Sequence, residues 1–386
     1  MHVAIIAEYN PFHNGHAYQI EQIRAQFGAD THISVILGGI FSQRGEPYIA
    51  PPYVRAEAAI LCGADLCVEL PFPFSCAPAS IFARAGVEIA VGLGASVLAF
   101  GSENGNIDSL IQMRERLDGP EMQAALASAS DEAAGKTRTY TRVYKELYGA
   151  EAPTLPNDIL AIEYLRAIDR LHAPITPFTI LRKGDYKSGE GGFASASSLR
   201  RAFSTGGLKA MQSGMPQAAY AVFAKASEEG LFAPDYEKLA AAVLLRLAEP
   251  SEGIAFTGGG LAERLRHAAK EAKSIGELCK QTATKRYTDA EIARAILYTF
   301  LEVTRADLDA PVAYTRLLAI GKSGRALLAN PQIEILTKPS APEKLSDAAR
   351  AQFTKTLAAE RAYALCLRGK YDHLRQSPKV EKVCKP

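Results

Sequence analysis

No stretch of this 386-residue chain approaches eighteen uninterrupted apolar residues, so no segment reads as a membrane span. Its first apolar run, Val3-Ala4-Ile5-Ile6-Ala7, is short and lacks the basic start of a secretory signal. Both absences point to a cytoplasmic protein. There is no C-x-x-C pair either: the six cysteines, at 62, 67, 76, 279, 366 and 384, are scattered. Metal-site spacing is therefore missing, and free, mostly buried thiols in a reducing compartment fit instead. Internal repeats and low-complexity segments are absent. Net charge is only +2, but it is unevenly placed. Residues 281–386 carry 18 basic and 11 acidic side chains, which leaves an acidic excess in the rest. A basic tail suits an anionic partner, although a solvated helical surface has the same composition.

What is present is an alternation of β-prone runs and helical patterns. Residues 3–7, 32–37, 65–70, 96–100 and 175–181 read as strands. Helical patterns over 16–28, 55–63, 80–92 and 158–171 separate them. Strands alternating with helices predict an α/β fold with a parallel sheet covered on both faces. Pro177 inside the last strand predicts an irregular or edge position. Residues 105–148 read as a polar, helical insertion over one edge of the site. Gly206-Gly207 marks the expected boundary between a first domain, 1–205, and a helical, basic domain, 206–386. Helices are expected there over 216–229, 236–248, 260–280 and 289–303, the last opened by a Thr288–Glu291 capping box.

The chemistry concentrates where the first strand turns into a helix. Glu8-Tyr9-Asn10-Pro11-Phe12 breaks the strand, and His13-Asn14-Gly15-His16 opens a helix with Ile20, Ile23 and Phe27 on its apolar face. Histidines three apart share one face of a first turn, where unpaired N–H groups and the helix dipole favour anions. The arrangement suits a polyphosphate, with Gly15 leaving backbone open to a base or ribose. Phe41-Ser42-Gln43-Arg44-Gly45-Glu46-Pro47 forms a polar loop at the carboxyl end of the second strand, the edge where ligands bind in open α/β sheets. Asn157 stands in an N-cap position. Ser197, Ser198 and Arg200 open a second helix, either as ordinary caps or as another anion site. The glycine-rich segment 183–192 reads as a closing loop.

The stretches AEYNPFHNGH, QRGEP, GADLCVELP, FGSENG, LPNDILAIEYL and SASSLR, with KRYTDAEIARAILY and YTRLLAIGKSGRALL, carry a likeness that spans nearly the whole chain. The chain resembles the tRNA(Met) cytidine acetate ligase family of the nucleotidyltransferase superfamily. The likeness implies a Rossmann-like sheet followed by a mainly α-helical domain. It also implies activation of acetate by ATP, carried with Mg²⁺, to acetyl-adenylate, and acetyl transfer to N4 of the wobble cytidine of elongator tRNA(Met). DNA and membranes are not expected partners. ATP contacts map onto Ile6, Ala7, Glu8, Tyr9, Asn10, Pro11, Phe12, His13, Asn14, Gly15, His16, Ala17, Tyr18 and Gln19, with Gly101, Asn157 and Arg182.

His13 and His16 are the candidate catalytic groups, and Arg182 and Arg200 the candidate phosphate clamps. Lys285, Arg286, Arg316, Lys322 and Arg325 are the candidate tRNA contacts. The chain departs from the family pattern at Ile40 and Pro52. Two rival readings remain on sequence: a cofactor-forming adenylyltransferase acting on a small phosphorylated substrate, and an RNA-binding protein with a structural nucleotide site.

Overall fold

Val3 to Ile6 are all buried, and their alternation decides which layer each joins. In the computed structural model, which describes residues 1–129, 136–183, 193–372 and 374–380, β1 (His2–Ala7) is a central strand. Its parallel neighbours are β2 (His32–Gly38) and β4 (Val97–Ser102). Val3 and Ile5 join Ile33, Val35 and Leu37 in one core, while Ala4 and Ile6 join Ile36, Val68 and Phe100 in the other. Burial on both faces is why these strands read as unbroken apolar runs.

The sheet continues through β3 (Leu66–Leu70) beside β2 and β5 (Thr176–Leu181) beside β4, both parallel. β5 is the edge strand, and Pro177 lies there opposite Leu98, where a missing N–H is tolerated.

Eight helices accompany this part: α1 (Asn14–Phe27), α2 (Pro52–Leu61), α3 (Ala79–Gly92), α4 (Ile107–Asp118), α5 (Pro120–Ser128), α6 (Lys136–Tyr148), α7 (Pro156–Arg170) and α8 (Ala196–Gly206). α1 and α2 cover one face and α3 and α7 the other, which makes three layers. α4 to α6 close a small core of their own around Leu117, Met122 and Tyr144, leaning on Ile162 of α7.

Beyond residue 206 the chain forms α9 (Gln217–Glu228), α10 (Ala240–Ala248), α11 (Leu261–Ala269), α12 (Ile275–Thr282), α13 (Asp289–Leu301) and α14 (Arg305–Asp309). The expected 260–280 helix is thus two, and α13 opens with the Thr288–Glu291 capping box. α10 to α13 share a separate core that includes Leu265 and Ile296.

The chain beyond the expected boundary at 205/206 also contributes to the sheet. After α14 the chain returns, and β6 (Tyr314–Ile320) pairs antiparallel with β3. β7 (Glu334–Leu336) and β8 (Lys379–Val380) flank β6, with α15 (Asp347–Cys366) between them in sequence. All seven β6 residues are buried. Arg316 hides this strand from the sequence pattern. Its fully buried guanidinium lies 2.9 Å from Glu69 of β3 and 2.7 Å from Glu360 of α15, so its charge is matched inside the fold.

Candidate active site at the carboxyl end of the sheet

β2 and β4 lie on opposite sides of β1, so the strand order reverses there and a crevice opens between β1 and β4. Those two strands pair only at Val3–Val97 and Ala4–Leu98. Beyond the last pair a cavity of about 290 Å³ is lined by Ile6 and Ala7 from β1, by Glu8 just after it, and by Phe100 and Gly101 from β4. This is the switch-point position at which open α/β sheets bind ligands.

The turn that leaves β1 is pinned at several atoms. Arg55, fully buried in α2, donates to the Glu8 carbonyl at 2.6 Å. Asn10 accepts the Ile49 N–H on its side chain at 2.8 Å and the Arg200 guanidinium on its carbonyl at 2.7 Å. Tyr9 adopts φ 44°, and the Asn10–Pro11 peptide is cis.

His13 then caps α1. Its Nδ1 accepts the Gly15 N–H at 3.0 Å, while its own N–H donates to His16 Nδ1 at 3.2 Å. With both Nδ1 atoms accepting, each neutral ring carries its proton on Nε2. The rings stack with centroids 3.6 Å apart. Burial, helped by the charge of Arg182, holds His13 down to about 3. Burial, then His13 and Arg182, hold His16 well below the usual imidazole range. Two neutral rings, each with an N–H to give, therefore line the cavity at a helix N-terminus. Gly15 serves this geometry in a way the sequence did not reveal. A Cβ there would fall 2.9 Å from His13 Cε1, so the glycine makes room for the capping ring rather than for a base.

Across the cavity, Asn157 is not an N-cap. Leu155 precedes α7 and Pro156 is its first residue. The Asn157 side chain donates to Glu103 at 2.6 Å and accepts from Arg182 at 3.3 Å, which fixes the arginine at the cavity wall. Glu103 also accepts the Asp158 N–H at 2.9 Å, and Asp158 accepts the N–H groups of Glu103 and Asn104. The second helix start is capped by Ser195, whose hydroxyl accepts the Ser198 N–H at 3.1 Å. Ser198 turns its own hydroxyl back to the Ser195 carbonyl at 2.8 Å, leaving Ser197 and Arg200 on the cavity wall.

Of the residues expected to contact nucleotide, Ile6 to Asn10, His13, Gly15, His16, Tyr18, Gln19, Gly101, Asn157, Arg182, Ser197 and Arg200 line this cavity. Pro11, Phe12, Asn14, Ala17 and Ser198 do not. Phe12 is buried in the core, and Asn14 donates instead to the Ser213 carbonyl. Nor does any described residue of the 105–148 segment line it. Most of the segment 183–192 lies outside the described residues.

Sequence reasoning missed Phe82, Leu160 and Tyr164, which sit on helices whose apolar spacing reads as core. Phe193 was missed as well, whereas Lys183, also on the wall, opens the segment the sequence read as a closing loop. The lining residues Ser42, Gln43, Arg44 and Glu46 belong to the loop the sequence placed at this edge. That loop packs on α13: Arg294 donates to the Gln43 carbonyl at 2.8 Å. A Cβ on Gly45, at φ 84°, would fall 2.7 Å from the Ala293 backbone.

The five candidate tRNA contacts separate. Lys285 and Arg286 are exposed just before α13, on the approach to the cavity loop. Arg316 is excluded as a surface contact by its burial between Glu69 and Glu360. Lys322 and Arg325 are exposed but follow the end of β6 that pairs with Leu66. Because β6 runs antiparallel, that end is the amino edge of the parallel strands, a strand length from the cavity. Ile40 is buried in the core and Pro52 is the first residue of α2, so neither departure from the family pattern touches the cavity wall.

A three-layer sheet with its crevice at the switch point, entered by a strand–turn–helix carrying H-x-G-H, defines a nucleotidyltransferase of the HIGH class. The family model for HIGH Nucleotidyl Transferase matches residues 1–377. The chain belongs to the tRNA(Met) cytidine acetate ligase family. It is 36% identical over 344 residues to that protein of Syntrophotalea carbinolica, covering 84% of this chain and 81% of the relative. It is 32% identical to the one of Caldanaerobacter subterraneus subsp. tengcongensis, covering 94% of both. In fold it is similar to TmcAL of Thermotoga maritima, solved bound with alpha-thio ATP. The TM-score is 0.87 at 23% identity, over 98% of this chain and 99% of that one.

Proposed function

We propose that this protein is an ATP-dependent acetate ligase that forms acetyl-adenylate and acetylates N4 of the wobble cytidine of elongator tRNA(Met). The observation that carries the reading is the pair of imidazoles whose Nδ1 atoms are both occupied by backbone donors. Their Nε2–H groups are thereby neutral and left uncommitted, on rings that line a cavity shared with Arg182.

Attack of a carboxylate oxygen on the α-phosphorus gathers charge on the phosphate oxygens and on the departing pyrophosphate. Donors that are already oriented stabilise that charge without reorganising, and each typically contributes roughly 2.7–4 kcal/mol. His13 and His16 supply such donors. Arg182, braced by Asn157, and Arg200, tied to Asn10, supply positive charge on opposite sides. Among the described residues no group of three or more His, Cys, Asp or Glu is placed to hold a metal ion. Mg²⁺ is proposed to arrive on the triphosphate, as it does with ATP generally. Lys285 and Arg286, exposed just before α13, are proposed to meet the tRNA.

The test is direct. The protein with ATP, acetate and total tRNA should yield N4-acetylcytidine, with AMP and pyrophosphate as co-products. Labelled acetyl-coenzyme A without ATP should leave the tRNA unlabelled. Transfer from the thioester alone would overturn the reading, because a site for adenylation would then be idle.

A further inference from the structure

We infer that Glu8 accepts the proton of the attacking amine when the acetyl group passes to cytidine, an inference that rests on the function proposed above. Glu8 is the first residue after β1 and lies on the cavity wall. Its Oε1 accepts the Gln43 N–H at 2.9 Å and the Tyr48 hydroxyl at 3.1 Å, and its carbonyl is held by Arg55. Burial, then the charge of Glu8 itself, keeps the Tyr48 phenol well above its usual range, so it stays a donor. The carboxylate is thus fixed in direction by one oxygen. Its second oxygen has no hydrogen-bond partner among the described residues, and Glu8 forms no ion pair with any of them.

A carboxylate that, among the described residues, forms no ion pair and has only the buried Arg55 guanidinium for a charge neighbour opposes the binding of a polyphosphate nearby by Coulomb repulsion in a partly dry site. Its presence here calls for a substrate group that gives protons rather than negative charge. The exocyclic amine of cytosine is such a group, and a carboxylate is its ordinary partner. The adjoining wall suits a base. Tyr164 is 2% exposed, stands with its ring 5.5 Å from that of Phe100, and has a hydroxyl without a partner among the described residues.

In the transfer step the N4 lone pair attacks the acetyl carbonyl carbon. The bond from that carbon to the phosphate oxygen breaks, and its electron pair leaves on AMP. One N4 proton passes to the free oxygen of Glu8, which becomes a neutral acid and later releases the proton to solvent. The amine lone pair is delocalised into the ring, so removal of this proton is needed as the C–N bond forms. A positioned base typically contributes 10²–10⁴-fold to such a step.

The test separates the two half-reactions. Wild-type protein lacking acetate-dependent ATP–pyrophosphate exchange would sink the ligase reading before any variant is made. Given that exchange, Glu8→Gln should slow single-turnover acetyl transfer to tRNA by about 10²–10³-fold. Because Glu8 also lines the nucleotide cavity, pyrophosphate exchange and trapping of the adenylate by hydroxylamine, a nucleophile that needs no base, are measured on the same sample, and the ratio of transfer to exchange should fall at least about tenfold. Hydroxamate formed by the same sample also reports that the variant is folded. Glu8→Asp keeps the charge but withdraws it by one methylene, and should fall between wild type and Glu8→Gln in that ratio. Equal losses in exchange and transfer, in either variant, would place Glu8 on the nucleotide or its Mg²⁺ and overturn the inference. Full transfer by Glu8→Gln would overturn it too.

Discussion

The two edges of the central sheet carry similar residue types and use them in opposite ways. At the amino edge Arg24 donates to the carbonyls of Ala29, Thr31 and Gly63 and to Asp65. Asp65 accepts the Ile33 N–H at 2.7 Å and the Ser323 hydroxyl, and the His2 ring bonds Ser34 at 2.8 Å. Most polar groups there satisfy one another, the buried Thr31 hydroxyl being an exception among the described residues. At the carboxyl edge the bonds are arranged to leave something over. Each imidazole commits one nitrogen and presents the other, and Glu8 commits one oxygen and presents the other. Buried polar groups are ordinarily paired, so an edge that holds its spare donors and acceptors rigid is built for a ligand.

The sharpest way to break this contrast is to remove the spare donors. His13→Ala or His16→Ala should lower acetate-dependent pyrophosphate exchange by about 10²–10³-fold with the melting temperature little changed. Near-normal exchange in both would mean the two edges do not differ in kind. Asp65→Ala should do the reverse. Leaving the Ile33 N–H unpaired costs about 1–3 kcal/mol, read as a lower melting temperature, while exchange per folded molecule stays at the wild-type value.

Acid should strike both edges alike. His2 is lowered to about 4 by burial, His13 to about 3, and His16 also lies well below the usual value. An unfolded chain protonates these rings near pH 6.5, whereas the folded chain resists until far lower. Between those limits the unfolded state binds more protons, so stability should fall as pH drops below about 6.5. His2→Gln should remove part of that loss, measurable as a flatter dependence of denaturation midpoint on pH.

The smallest effects concern surface charge. Lys285→Glu with Arg286→Glu should weaken tRNA binding about tenfold at low salt and reduce its salt dependence. Lys322→Glu with Arg325→Glu, at the amino edge, should change it far less. Equal effects would mean that tRNA wraps both edges.

The parallel strands and the helices on both faces were legible because doubly covered strands read as plain apolar runs. The H-x-G-H helix start was legible because strand, turn and helix follow in sequence. β6 escaped as a strand because its central Arg316 argues for solvent unless Glu69 and Glu360, far away in sequence, are known to flank it. Asn157 was misread because a side chain at a helix start looks like a cap until its partners, Glu103 and Arg182, are placed. Phe82 and Tyr164 show the same limit: helical spacing says which face is buried, not whether that face meets core or cavity.

The return of β6 to β3 bears on how the molecule is made. During synthesis, β1 to β5 emerge long before Tyr314, and until then β3 offers an unpaired edge that can recruit other chains. Glu69 waits over the same interval for a cation that is 247 residues away in sequence. A fragment of residues 1–205 would be held permanently in that state, prone to edge-to-edge association however complete its catalytic loop. The nucleotide site, encoded almost wholly in the first half of the gene, thus sits in a sheet whose edge is covered only once the second half is made.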